Sequence, residues 1–177
     1  MPSYSRLNGL LASLAAASRT SLEGKVVPYM VGEWLAEYDR STRSSDVVTV
    51  TLDAFSYLFD VENERLIAAW GVSGGRHGGA RDKSRMAGHP KAGGNLYHRG
   101  HAIPHTLGGG TDINLVPQLG RINIGPFRAM EKRAVKTPGA LYFTYWAYRK
   151  RNDQIPFRVE QGFLQPGHPA EIRRHAN

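Results

Sequence analysis

Three pieces of the sequence decide its reading. They are Tyr97-His98-Arg99-Gly100-His101-Ala102-Ile103-Pro104, Asn114-Leu115-Val116-Pro117-Gln118, and Asn123-Ile124-Gly125-Pro126-Phe127-Arg128-Ala129-Met130-Glu131. Asn114 follows His101 by 13 residues, Asn123 follows Asn114 by 9, and Glu131 follows Asn123 by 8. Pro126 suits the first turn of a helix, because the N–H it lacks would have no intrahelical acceptor there. The periodicity predicts a helix over 126–136, with Phe127, Met130, Ala134 and Val135 on a mixed apolar face and Pro138-Gly139 as its stop. Asn123 then stands just before the helix and Glu131 one to two turns into it, so both side chains can reach one site. Asn114, Leu115 and Val116 read as a short buried segment.

Upstream, from Gly71 to Gly110, lie 12 of the chain's 20 glycines and five of its seven histidines: His77, His89, His98, His101 and His105. Arg76, Arg81, Lys83, Arg85, Lys91 and Arg99 are opposed there only by Asp82. Such a stretch cannot make a core. It reads as a long loop laid over a scaffold, and long loops in compact domains usually carry function.

The scaffold reads as antiparallel β structure. Strands are expected over 47–52, 56–61 and 66–72, with a turn at 62–64, and two closing strands over 141–148 and 156–164. The aromatic run Tyr142, Phe143, Tyr145, Trp146 and Tyr148 suits a strand with one face in the core, or a platform on which bases stack. Ahead of the strands, Leu7, Leu10, Leu11, Leu14 and Ala15 fall at helical spacing. A second helix begins near Pro28, with Met30, Val31, Trp34, Leu35 and Tyr38 as its apolar stripe. That stripe can pack on the main domain or dock a partner. The expectation is an α+β fold: an N-terminal helical extension over 1–45, the main domain over 46–168, and a frayed polar tail over 169–177.

Composition bounds the function. The 177 residues carry 23 Lys and Arg against 15 Asp and Glu, a formal charge of +8, which points to an anionic partner with nucleic acid first. The chain has no cysteine, which excludes a disulfide scaffold, a thiolate metal cluster and a Cys nucleophile. No apolar run is long enough to span a membrane. Localisation stays open between the cytoplasm and export without a clear signal peptide.

Taken singly, Asn123 reads as a helix N-cap and Glu131 as a solvated helix residue. Taken with His101, they offer an amide oxygen, a carboxylate and an imidazole. That is a hard, oxygen-biased set suited to Mg²⁺, which keeps several of its waters. Zn²⁺ fits less well, since there is no Cys and no close-spaced pair of histidines on a helix. Hydrolysis of a phosphodiester needs a base for water, charge stabilisation at phosphorus and a neutralised leaving oxygen. Histidine serves the first need, and a divalent cation the others. Arg99 can hold a phosphate by paired hydrogen bonds. The uncatalysed reaction is so slow that well over about 15 kcal/mol of barrier lowering is required.

These residues resemble the DNA/RNA non-specific endonuclease family, a ββα-metal group. His98-Arg99-Gly100-His101 resembles its Asp-Arg-Gly-His core, Asn114 to Gln118 its Asn-hydrophobic-x-Pro-Gln segment, and Asn123 to Glu131 its Asn-x-Gly-x-aromatic-x-x-hydrophobic-Glu run. The likeness covers about 47–166. It implies a ββα-metal active site with His101 as general base, Asn123 as direct Mg²⁺ ligand (Mn²⁺ being a substitute), Glu131 holding metal-bound water or completing the site, Asn114 in support, and Arg99 structural or on phosphate. It implies DNA as substrate, with RNA second, and cleavage to 5′-phosphate ends; whether an immunity or inhibitor protein is a partner stays open. Two positions depart from the family: His98 stands for its Asp, and Val135 where an arginine is sometimes found. Arg76, Arg81, Arg85 and Arg128 are the candidates to replace that arginine. An HNH-type nuclease, with His98 or His105 as extra ligands, and a nucleic-acid-binding module with a decayed site are the alternatives.

Overall fold

The computed structural model describes residues 1–14, 21–44, 46–79, 90 and 92–177. Ala15, Arg81, Lys83, Arg85, His89 and Lys91 therefore lie outside the described residues. The elements are α1 (Leu7–Ala12), a π-helical turn (Leu22–Val26) running into α2 (Val27–Thr42), β1 (Val47–Leu52), β2 (Phe55–Asp60), β3 (Arg65–Val72), β4 (Tyr97–His101), β5 (Leu115–Leu119), α3 (Gly120–Asn123), α4 (Pro126–Lys136), β6 (Leu141–Ala147), β7 (Arg158–Leu164) and β8 (Glu171–Ala176). This is an α+β fold. A six-stranded sheet of order β1-β2-β3-β6-β7-β8 is antiparallel throughout, and β4 and β5 form a separate antiparallel pair.

The middle of the sheet is covered on both faces, so β3 and β6 are buried along their whole lengths. On one face lies α2. Its Trp34 ring sits 5.4 Å from both Trp70 and Phe143 and stacks on Tyr145 at 6.4 Å. The apolar stripe of α2 thus packs on the sheet: Met30, Trp34 and Tyr38 are buried, while Leu35 stays exposed. On the other face lies α4, with Phe127 against Trp146 at 6.1 Å and with Met130 and Ala134 buried. The aromatic run of β6 is consumed by these two contacts and offers no platform for bases.

A charged knot ties α2 to the sheet. Arg65 is buried, with its guanidinium over the Tyr148 ring at 4.3 Å and the Tyr38 ring at 5.2 Å. It donates to the Tyr38 hydroxyl at 2.6 Å and lies 3.6 Å from Asp60, whose carboxylate also accepts from Tyr38 and from Asn63. Burial of such a charge is tolerable only because it is surrounded in this way.

Two expectations are corrected. The tail is not frayed: Glu171–Ala176 pairs with β7 as the edge strand β8. Its alternating charges lie at a solvated edge, so it shows no apolar pattern. Tyr97–His101, expected within a loop, is strand β4, held by its ladder to β5. Among the described residues, no helix is long and apolar enough to cross a membrane.

Candidate active site

Between β3 and β6 the chain leaves the main sheet, makes the β4–β5 pair, and returns through α3 and α4. The pair runs from Tyr97 opposite Leu119 to His101 opposite Leu115. Alternation puts Arg99 and His101 on one face of β4 and His98 and Gly100 on the other. Gly100 is required by close approach: a Cβ there would lie 2.3 Å from Oε1 and 2.7 Å from Cβ of Gln118 on β5.

Beyond His101 the chain turns tightly, and Asn114 holds the turn. Asn114 is fully buried. Its Oδ1 accepts from the Ile103 N–H at 2.7 Å, and its Nδ2 donates to the carbonyls of Ile103 at 2.8 Å and Gly110 at 2.9 Å. Its own carbonyl accepts from the Ala102 N–H at 2.9 Å. A Cβ on Gly109 would collide with the Ile103 carbonyl oxygen at 1.9 Å, so only glycine closes this turn.

A cavity of about 700 Å³ opens between the β4 side of this turn and α4. Arg76, Arg99, His101, Pro104, His105, Thr106, Asn123, Arg128, Glu131, Lys132, Val135 and Lys136 line it. Of the five site residues singled out in the sequence, Arg99, His101, Asn123 and Glu131 are on its wall. Asn114 is not; its polar atoms are engaged by backbone beneath the turn. His101 is mostly buried, and the His105 ring stands edge-on to it at 6.5 Å, with His77 a further 6.2 Å from His105.

Asn123 ends α3 and does not cap α4, whose N-cap is Gly125 without a side-chain bond. Its Nδ2 lies 3.3 Å from Nδ1 of His98. Below Glu131, Tyr142 is buried, and its hydroxyl accepts from Gln161 at 2.8 Å. Burial, with the Glu131 carboxylate adding to it, holds the Tyr142 phenol well above its usual range and therefore protonated.

The cavity wall is strongly basic. Arg128, Lys132 and Lys136 succeed one another at four-residue spacing on α4, all exposed, and Arg76 and Arg99 line the same cavity. Of the four arginines considered as replacements near Val135, Arg76 and Arg128 line the cavity, and Arg81 and Arg85 lie outside the described residues. Lys132, Lys136 and Thr106 carry no signal in the sequence; their place depends on how α4 is docked. Among the described residues, no group of three or more His, Asp or Glu side chains is placed to share an ion. A cation here would take an amide and a carboxylate and keep much of its water. The donor set fits Mg²⁺ rather than Zn²⁺.

No protein-family model and no curated protein sequence matches the chain. The fold is similar to that of solved structures. A crystal structure of NucA from Streptococcus agalactiae with no metal bound aligns at 17% identity and a TM-score of 0.54, over 72% of each chain. A second crystal structure of NucA from the same organism, with magnesium ion bound, aligns at 12% identity and a TM-score of 0.51, over 81% of this chain and 89% of the other.

Proposed function

We propose that the chain is a divalent-metal-dependent endonuclease of the ββα-metal type, hydrolysing phosphodiester bonds in DNA, with RNA as a second substrate. One observation carries the reading. A single cavity is lined by an imidazole, an amide and a carboxylate, His101, Asn123 and Glu131, and among the described residues five cationic side chains share its lining. The β4–β5 pair followed by α4 is the ββα unit of this reading. The similarity to a magnesium-bound NucA supports the choice of ion.

In this reading Asn123 and Glu131 hold Mg²⁺, for which Mn²⁺ substitutes. When bound, the ion supplies charge stabilisation at phosphorus and at the departing 3′ oxygen. His101 accepts the proton of the attacking water. Its site on a hydrogen-bonded strand, with Ala102 and Ile103 fixed by Asn114, holds the imidazole in place through the reaction. Arg99, Arg76 and Arg128 grip non-bridging oxygens. Contacts of this kind read no bases, so little sequence preference is expected.

The test is digestion of plasmid DNA and of RNA, with and without Mg²⁺, by wild type, His101→Ala and Asn123→Ala. Loss of the base lowers the rate by about 10²–10⁴-fold while DNA binding persists. Cleavage that survives EDTA, or that neither substitution affects, overturns the mechanism. A decayed binding module would instead bind DNA and cleave nothing in any form.

A further inference from the structure

Resting on that reading, we infer that His98 is a positioning residue: its Nδ1 accepts from the Asn123 amide and thereby fixes which atom of Asn123 meets the metal. An asparagine side chain offers an oxygen and an NH₂ group on one planar amide, and only the oxygen can ligate a cation. Nothing in an amide alone selects the orientation. The selection here comes from a neighbour. Asn123 Nδ2 stands 3.3 Å from His98 Nδ1, and Asn123 lines the cavity; on a planar amide, the oxygen then lies on the side away from that contact, which is how it becomes free to ligate. With the ring proton on Nε2, Nδ1 is a pure acceptor, and the reversed amide would set oxygen against a lone pair.

The imidazole also fixes the short helix itself. A Cβ on Gly120 would lie 2.7 Å from Nε2 and 3.0 Å from Cε1 of His98, so the ring rests directly on the first residue of α3. Asn123 is the last residue of that same turn. One side chain on β4 therefore touches both ends of the element that presents the ligand. A carboxylate in place of His98 could accept the same hydrogen bond but could not cover Gly120. The departure from Asp at this position thus keeps an acceptor and adds a flat surface.

Two substitutions separate the hydrogen bond from the packing. His98→Phe keeps a flat ring over Gly120 and removes the acceptor. His98→Asp removes the ring and leaves a carboxylate, which can only accept. The readout is uptake of Mn²⁺ alone by the intact protein, from the loss of the free-ion electron paramagnetic resonance signal, with each variant's metal-free melting temperature alongside. Partners of metal ligands typically contribute 10–100-fold to metal affinity. His98→Phe is expected to bind Mn²⁺ at least about tenfold more weakly, and His98→Asp no more than about threefold more weakly than wild type. If His98→Phe does not fold, His98→Ala replaces it with the same expectation. Undiminished Mn²⁺ binding by His98→Phe, or binding by folded His98→Asp as weak as that of His98→Phe, overturns the inference. Wild type serves as the control with Asn123→Ala. If wild type takes up no Mn²⁺, or Asn123→Ala takes up as much as wild type, the metal site itself fails and the inference with it. If those two behave as proposed and His98→Phe binds normally, only the inference fails.

Discussion

Asn114→Ala distinguishes a residue that supports the site from one that takes part in the chemistry. The Asn114 side chain makes three hydrogen bonds, all to backbone and all on the turn that carries His101, Pro104 and His105. At about 1 kcal/mol net for each, the substitution is expected to destabilise the fold by about 3 kcal/mol. For a chain of this size, that lowers the melting temperature by about 6–12 °C. Asn114→Asp keeps the acceptor for Ile103 N–H but sets an oxygen against two carbonyls in a buried place, so it is expected to be no better. The assay is calorimetry, joined to Mn²⁺ uptake and DNA cleavage at a temperature where both variants remain folded. Metal uptake should persist, because Asn123 and Glu131 belong to other elements, while cleavage falls as the His101 turn loosens. A melting temperature within about 2 °C of wild type would refute the energetic reasoning. Loss of Mn²⁺ uptake from the folded variant would place Asn114 at the metal and refute its supporting role.

Two further outcomes follow from the same geometry. His175 is half-buried against Phe127, and desolvation, with Arg173 adding to it, holds its pKa below 6.5. Below pH 6.5 the unfolded chain therefore binds a proton that the folded chain refuses, and stability falls as pH drops from 6.5 toward the folded value. His175→Gln should flatten urea midpoints between pH 7 and about pH 5, and an undiminished slope in that variant would contradict the assignment. In a His101→Ala background, replacing Arg128, Lys132 and Lys136 by Gln should reduce the slope of log affinity for DNA against log salt by about 0.9 for each phosphate no longer neutralised. An unchanged slope would exclude α4 from the DNA-binding face.

The legible and illegible parts of the chain divide along physical lines. The helix over 126–136 is readable because proline opens it and Pro138-Gly139 closes it, signals that act within a few residues. The strands over 47–52 and 141–148 are readable from β-branched and aromatic content. Tyr97–His101 has neither signal; it is a strand only because β5 returns beside it, a pairing between residues up to 22 apart. Glu171–Ala176 is hidden for another reason. A strand at a solvated edge buries little, so Arg173 and Arg174 are as acceptable there as valine elsewhere. At the site, the joint occurrence of chemistry-bearing residues at the intervals of the family they resemble points to His101, Asn123 and Glu131, whereas Lys132 and Lys136 line the cavity only through the rotation at which Phe127, Met130 and Ala134 seat α4.

That rotation also bears on why a neutral amide suits the proposed metal ligand. Among the described residues, the cavity wall carries Arg76, Arg99, Arg128, Lys132 and Lys136 against the single carboxylate of Glu131. In the proposed function, a field of that sign draws in a phosphodiester and holds it after the charge on phosphorus begins to build. A second carboxylate in place of Asn123 would grip a cation harder, but it would repel the phosphate oxygens that must approach the same ion. An amide oxygen ligates without adding charge, so attraction for the substrate survives. Its weakness is rotational ambiguity, which a carboxylate, with two equivalent oxygens, does not have. A neutral ligand therefore needs a neighbour that fixes its orientation, and His98 occupies the position from which one hydrogen bond does so.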